Sequence, residues 1–90
     1  MIKYSVDYND KVRNDIKKHK MSGNKIAYEK IKSLMIELAY HPRTGTGHPE
    51  HLKHYPDIER WSRRINKEHR LEYNIYEEEA IVLIISAYGL

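Results

Sequence analysis

The period of hydrophobic and polar positions changes several times along this 90-residue chain, and each change marks an element. Ile2, Tyr4 and Val6 alternate with polar residues, the two-residue period of a short strand. Asp7 then offers a cap for a helix over residues 8–20, in which Tyr8, Val12 and Ile16 recur every four residues on one face. Ser22-Gly23-Asn24 reads as a turn. A second helix carries Ala27, Ile31, Leu34, Met35 and Leu38 at helical spacing, the strongest periodic signal in the chain. Pro42 stops it, because the residue before a proline is pushed out of the helical region.

Residues 41–57 contain three prolines and two glycines and have no sustained period, so they read as one long loop. Leu52 and Tyr55 are its apolar anchors. Beyond it Trp61, Arg63 and Ile65 alternate with Ser62 and Arg64, and His69, Leu71, Tyr73 and Ile75 alternate in the next segment. These are two strands joined at Asn66-Lys67-Glu68. After the turn Glu77-Glu78-Glu79, the run A-I-V-L-I-I-S reads as a strand buried on both faces. The sum is an α+β fold of order β-α-α-β-β-β, an antiparallel sheet with two N-terminal helices packed on one face. Ninety residues support one core, hence a single domain over residues 1–90.

Composition narrows the class. The chain has no cysteine, which removes disulfide frameworks and thiolate metal sites. Its longest apolar run, residues 80–85, is far short of a membrane span, and residues 1–7 lack the apolar stretch of a signal peptide. A cytoplasmic protein without membrane partners is expected. Net charge is +3 with a pI near 9.1. Residues 1–48 hold ten Lys and Arg against five Asp and Glu, whereas residues 75–90 hold three Glu and no basic residue. A basic body with one acidic turn suits a phosphate-bearing partner, and a solvated lysine-rich surface is the bland alternative.

Residues 47–73 concentrate the chemistry, with six Lys and Arg, several His and one carboxylate in a proline-fixed loop. A three-residue turn at 66–68 pairs residues whose numbers sum to 134, which sets Arg64 opposite Arg70 on the polar face, away from Trp61, Leu71 and Tyr73. Like charges directly opposite each other favour an anion between them, unless Glu50, Glu68 or Glu72 neutralises them. Glu50 follows Pro49, whose fixed φ can hold the neighbouring carboxylate in place. His48, His51 and His54 lie three residues apart, a spacing that would align metal ligands only on a helix. Pro49 and Pro56 argue against a helix there. His54 beside Lys53 reads better as a phosphate or base contact. Tyr4, Tyr28 and Tyr73 are assigned to the core, and Tyr55 and Tyr88 are candidates for stacking on bases.

Taken in order, G-x-G-x-P-E-x-L-K-H, W-S-R-R-I and E-H-R-L-x-Y resemble the YoeB/Txe group of the RelE superfamily of toxins, with a match running over residues 44–73. The resemblance implies a RelE-like fold and the toxin of a bacterial type II toxin–antitoxin pair. It further implies a metal-independent endoribonuclease, without cofactor, that enters the ribosomal A site beside 16S rRNA and cuts mRNA there. In-line attack by the ribose 2′-hydroxyl would leave a 2′,3′-cyclic phosphate. A Phd/YefM-like antitoxin is the implied partner. Homologous toxins often pair as homodimers, although this sequence shows no self-complementary face. By position, Glu50 resembles the general base and Arg70 the arginine that stabilises the phosphorane. Lys53, His54, Arg63, Arg64 and Tyr88 are carried over as RNA and phosphate contacts. One position departs from the family: its closing His-Tyr pair, whose histidine is the general acid, is replaced by Gly89 and Leu90. That departure implies a weakened or inactive nuclease. The alternative is a non-catalytic module on the same scaffold that binds antitoxin or ribosome.

Overall fold

A computed structural model describes residues 3–89 of the protein. Its elements are β1 (Ser5–Tyr8), α1 (Asp10–Met21), α2 (Lys25–Leu38), β2 (Glu50–Leu52), β3 (Glu59–Arg64), β4 (Arg70–Tyr76) and β5 (Ile81–Ser86). The sheet runs β1-β5-β4-β3-β2. The expected α+β class holds, with two departures. The sheet is mixed, because β1 pairs parallel to β5 while every other neighbour is antiparallel. It also has a fifth strand, β2, inside the segment expected to be loop. The three residues of this strand, in the segment between Pro49 and Pro56, are too few to display a period, so hydrogen bonding to β3 creates it.

Competition between strand and helix moves the start of α1. Pairing of β1 with β5 continues through Asp7↔Leu83 and Tyr8↔Ile84, so neither residue is left for the helix. The cap is therefore Asn9 rather than Asp7, its side chain accepting from the Val12 amide at 3.1 Å. Ile2 of the expected first strand lies outside the described residues; Tyr4 is buried and Val6 packs against the core. Helix α2 follows its sequence pattern. Asn24 caps it at 3.2 Å from the Ala27 amide, and Ala27, Ile31, Leu34 and Leu38 are buried. Tyr28 is half-exposed, with Lys20 and Lys32 near its ring.

The β3–β4 hairpin has the expected register, with Trp61↔Tyr73 and Arg64↔Arg70. Asn66 closes its turn by accepting from the amides of Glu68 and His69, each at 2.9 Å. Strand β5 differs from expectation. Val82 and Ile84 are fully buried, but Ile81, Leu83 and Ile85 are only half-buried, because the helices cover one face of the sheet. Leu71, Tyr73, Ile75, Val82 and Ile84 meet Val12, Ile31, Leu34 and Leu38 in that covered layer. Each fully buried aliphatic side chain there contributes about 1.5–3 kcal/mol. The opposite face is left for polar groups.

Candidate active site

On the uncovered face, the ladder sets functional residues side by side. Glu50 pairs with Ser62, Ser62 with Glu72, and Arg64 with Arg70, so these side chains share a face opposite Leu71 and Tyr73. Arg70 reaches Glu50 with Nη1 at 3.8 Å from Oε1, the side chains being 30% and 64% exposed. This distance is an ion pair but not a hydrogen bond, and in such exposure it contributes at most about 1 kcal/mol. Arg64 makes no ion pair among the described residues. Two arginines thus pair across β3 and β4, with one loosely held carboxylate reaching Arg70 from β2. A cleft of about 560 Å³ opens beside them, lined by His48, Arg64, Asn66, Lys67 and Arg70.

The loop that delivers Glu50 is fixed from below. Arg63 alternates with Arg64 and so points into the covered layer, where it is 0% exposed. Its Nε donates to the Tyr73 hydroxyl at 3.0 Å, Nη1 to Glu37 and to the Thr46 carbonyl, and Nη2 to the His41 and Thr44 carbonyls. All five donors of the guanidinium are engaged. The expectation that Arg63 contacts RNA is therefore corrected: it organises the loop and presents nothing to solvent. Glu37 completes the brace by accepting from the Thr46 amide and hydroxyl. Burial acts to raise the Glu37 carboxyl, but bonds from Thr46 and Arg63 outweigh it and hold the group below its ordinary value.

Above this brace the Gly47 carbonyl accepts from the Arg64 amide at 2.7 Å. A Cβ at Gly47 would stand 2.9 Å from the Arg64 carbonyl oxygen, and its φ of +87° is itself a glycine conformation. His48 follows with φ 52°, left-handed backbone that is uncommon for a non-glycine residue. Pro49 then leads into Glu50 at the start of β2.

Lys53 and His54 are not beside Arg64 and Arg70. Both are exposed past the far end of β2, where Leu52 pairs with Arg60, roughly 13 Å along β3 from Arg64 at the ordinary strand rise. His54 lies against Tyr55 at 4.3 Å, and the Arg60 guanidinium covers the Tyr55 ring at 4.3 Å. Tyr88, 43% exposed, packs on His69 at 4.3 Å and on His19 at 5.0 Å, with Lys18 4.9 Å above its ring. Next to it the Gly89 carbonyl accepts from the Arg70 amide at 2.9 Å, and the Gly89 amide donates to His69 Nδ1 at 2.9 Å. The histidines of the loop diverge. His48 faces the cleft, His51 stacks on Trp61 at 5.0 Å, and His54 lies on Tyr55. Among the described residues no three His, Asp or Glu side chains are placed to share a metal ion.

Sequence reasoning overlooked Asn66 and Lys67 as cleft walls and weighed His48 only as a metal ligand. The hairpin register could have found the first two, since the turn must project beside Arg64 and Arg70. The buried place of Arg63 was also legible, from its parity with Trp61 and Ile65.

The molecule is thus a compact α+β protein, a five-stranded mixed sheet with helices on one face and an arginine-flanked carboxylate on the other. The structure superposes on the YoeB/ParE toxin from Agrobacterium tumefaciens with a TM-score of 0.82 at 26% identity, covering 96% of this chain and 98% of that one. The YoeB dimer from Staphylococcus aureus gives 0.79 at 27% identity, covering 98% of both chains. The YoeB–YefM complex from Staphylococcus aureus gives 0.75 at 28% identity, covering 97% of both chains. No curated protein sequence matches this chain. The chain belongs to the YoeB-like toxins of bacterial type II toxin–antitoxin systems, whose family model matches residues 8–88.

Proposed function

We propose that this toxin is a ribosome-dependent endoribonuclease that cuts mRNA in the A site without a metal. The observation that carries this reading is Glu50 at 3.8 Å from Arg70, on the face where Arg64 opposes Arg70. Glu50 takes the proton of a ribose 2′-hydroxyl, and the 2′-oxygen attacks the adjacent phosphorus in line. Arg70 and Arg64 hold the charge that develops on the non-bridging oxygens, the largest single term in such catalysis. The 5′-oxygen departs with a proton, leaving a 2′,3′-cyclic phosphate and a 5′-hydroxyl. Arg60, Tyr55, His54 and Lys53 form a second cationic and aromatic stretch suited to the neighbouring nucleotides. Tyr88, 43% exposed just past the end of β5, is a further aromatic group for a base.

The family's general-acid position carries Gly89 or Leu90, so the reaction runs below the rate of relatives that keep the histidine; a positioned acid or base contributes about 10²–10⁴. A Phd/YefM-like antitoxin is the partner, as YefM is of the Staphylococcus aureus relative, and a homodimer is supported by the dimeric relative from that organism. The site of action is the cytoplasm, where ribosomes are. Among the described residues no helix is long and apolar enough to cross a membrane.

The test is cleavage of mRNA on programmed ribosomes by toxin freed of antitoxin. Glu50→Gln is expected to lower the rate by about 10²–10⁴ while leaving antitoxin binding intact. A version with His-Tyr following Gly89 is expected to cut faster than the parent. Equal rates for the parent and Glu50→Gln, with antitoxin bound tightly by both, would leave only the non-catalytic binding module.

A further inference from the structure

We infer that His48 is the group that protonates the departing 5′-oxygen in this chain. The inference rests on the ribonuclease reading above and assigns its missing proton donor. Of the five residues lining the cleft, Arg64, Arg70 and Lys67 keep their protons near neutrality and Asn66 has none to give. His48 alone among them can release and regain a proton in that range. The residue bonded to the Arg70 amide is Gly89, which brings no side chain at all.

Position supports the same role. Glu50 pairs with Ser62, and the backbone just before His48 is bonded to Arg64, two residues further along β3. Two residues of extended chain span about 6–7 Å, room for one phosphate with the base at one end and the acid at the other. The two arginines that would hold that phosphate lie in the same stretch. The loop is fixed by the Gly47–Arg64 bond and the Arg63 brace below it, and His48 is kept at φ 52°. Uncommon backbone held by its surroundings is a feature of working sites.

The step balances. The 2′-hydroxyl proton passes to Glu50 as the 2′-oxygen bonds to phosphorus. The phosphorus–5′-oxygen bond breaks with its electron pair going to oxygen, and that oxygen receives the proton from Nδ1 or Nε2 of the His48 imidazolium. Exchange with water afterwards returns the proton from Glu50 and restores it to His48.

His48→Asn is the informative variant, because asparagine tolerates left-handed backbone and carries no exchangeable charge. On programmed ribosomes it is expected to lower kcat by about 10²-fold or more, with KM changed less than threefold and an unaltered melting temperature. The parent should lose rate as pH rises and the imidazolium is depleted, and the variant should not show that alkaline fall. An mRNA with sulfur in place of the bridging 5′-oxygen, whose leaving group departs without a proton, should be cut equally by both. A variant that cuts ordinary mRNA at the parental rate overturns the assignment and leaves the Glu50 mechanism standing. So does a loss that persists on the sulfur substrate. A parent that cuts nothing at any pH overturns the mechanism and this assignment together.

Discussion

Arg63 and Arg64 are adjacent and chemically identical, and strand parity gives them opposite lives. Arg63 faces the covered layer with every donor engaged, and Arg64 faces water across from Arg70. Arg63→Lys would keep the charge but lose the planar fork that reaches three backbone carbonyls and Glu37. An ammonium has three donors in place of five, so some of the buried carbonyls would be left without partners and the variant should lose about 3 kcal/mol in denaturant unfolding at neutral pH. Arg64→Ala should change stability by less than about 0.5 kcal/mol, since it removes an exposed side chain and relieves a like-charge contact. Its effect belongs to RNA affinity, where losing one phosphate contact should flatten the log–log salt dependence by about 1. Unfolding and salt titration of the two variants separate the roles; equal stability losses would contradict the assignment. The pairing of Arg64 with Arg70 was legible from the turn length, and the role of Arg63 was legible from parity once the family pattern is set aside. Where Glu50 stands was not, because it depends on Glu37 and Thr46, which no local spacing connects.

At the scale of elements, caps and glycine backbone decide where segments begin. Asn9 and Asp7 are both good capping residues, and the sequence pattern points to Asp7; the β1–β5 ladder decides for Asn9 by claiming Asp7. Asn9→Ala should therefore cost about 1 kcal/mol, and Asp7→Ala much less, by thermal or denaturant unfolding. A larger loss from Asp7→Ala would return the cap to that residue. Strand β2 was hidden for another reason, being short and flanked by prolines, so that only its partner reveals it. Its entry depends on Gly47, where a methyl group would meet the Arg64 carbonyl at 2.9 Å on unfavourable backbone. Gly47→Ala should cost about 1–3 kcal/mol and, by shifting β2 against β3, also reduce cleavage. Cleavage retained in full despite that loss would show that Glu50 does not depend on the loop's seat.

At the scale of the molecule, the parallel β1–β5 pair shows what pattern reading cannot reach. A strand's period reports its faces, but its direction is set by where two helices return the chain. That closure brings together groups from distant parts of the sequence. Arg43 donates to Glu59 at 2.7 Å and to Glu77 at 2.8 Å, while the Tyr4 hydroxyl donates to Glu77 at 2.7 Å. With Glu37 on Arg63, three carboxylates hold the 41–47 loop, Tyr4 just ahead of β1, β3 and the β4–β5 turn together. All three lie below their ordinary value. In Glu59 the bonds from Arg43 exceed the opposing effect of burial, in Glu77 the bonds from Tyr4 and Arg43 dominate, and in Glu37 those from Thr46 and Arg63 overcome burial. A carboxyl held lower in the folded chain adds stability that is present above its unfolded value of 4.5 and is lost as pH falls through the folded value. The melting temperature should therefore be level between about pH 5 and 7 and fall progressively below about 4.5. Glu37→Gln should lower the plateau and make the fall shallower, since one of the three groups no longer titrates. A variant curve that parallels the parent through the acid range would show that Glu37 takes no part in holding the loop beneath the active site.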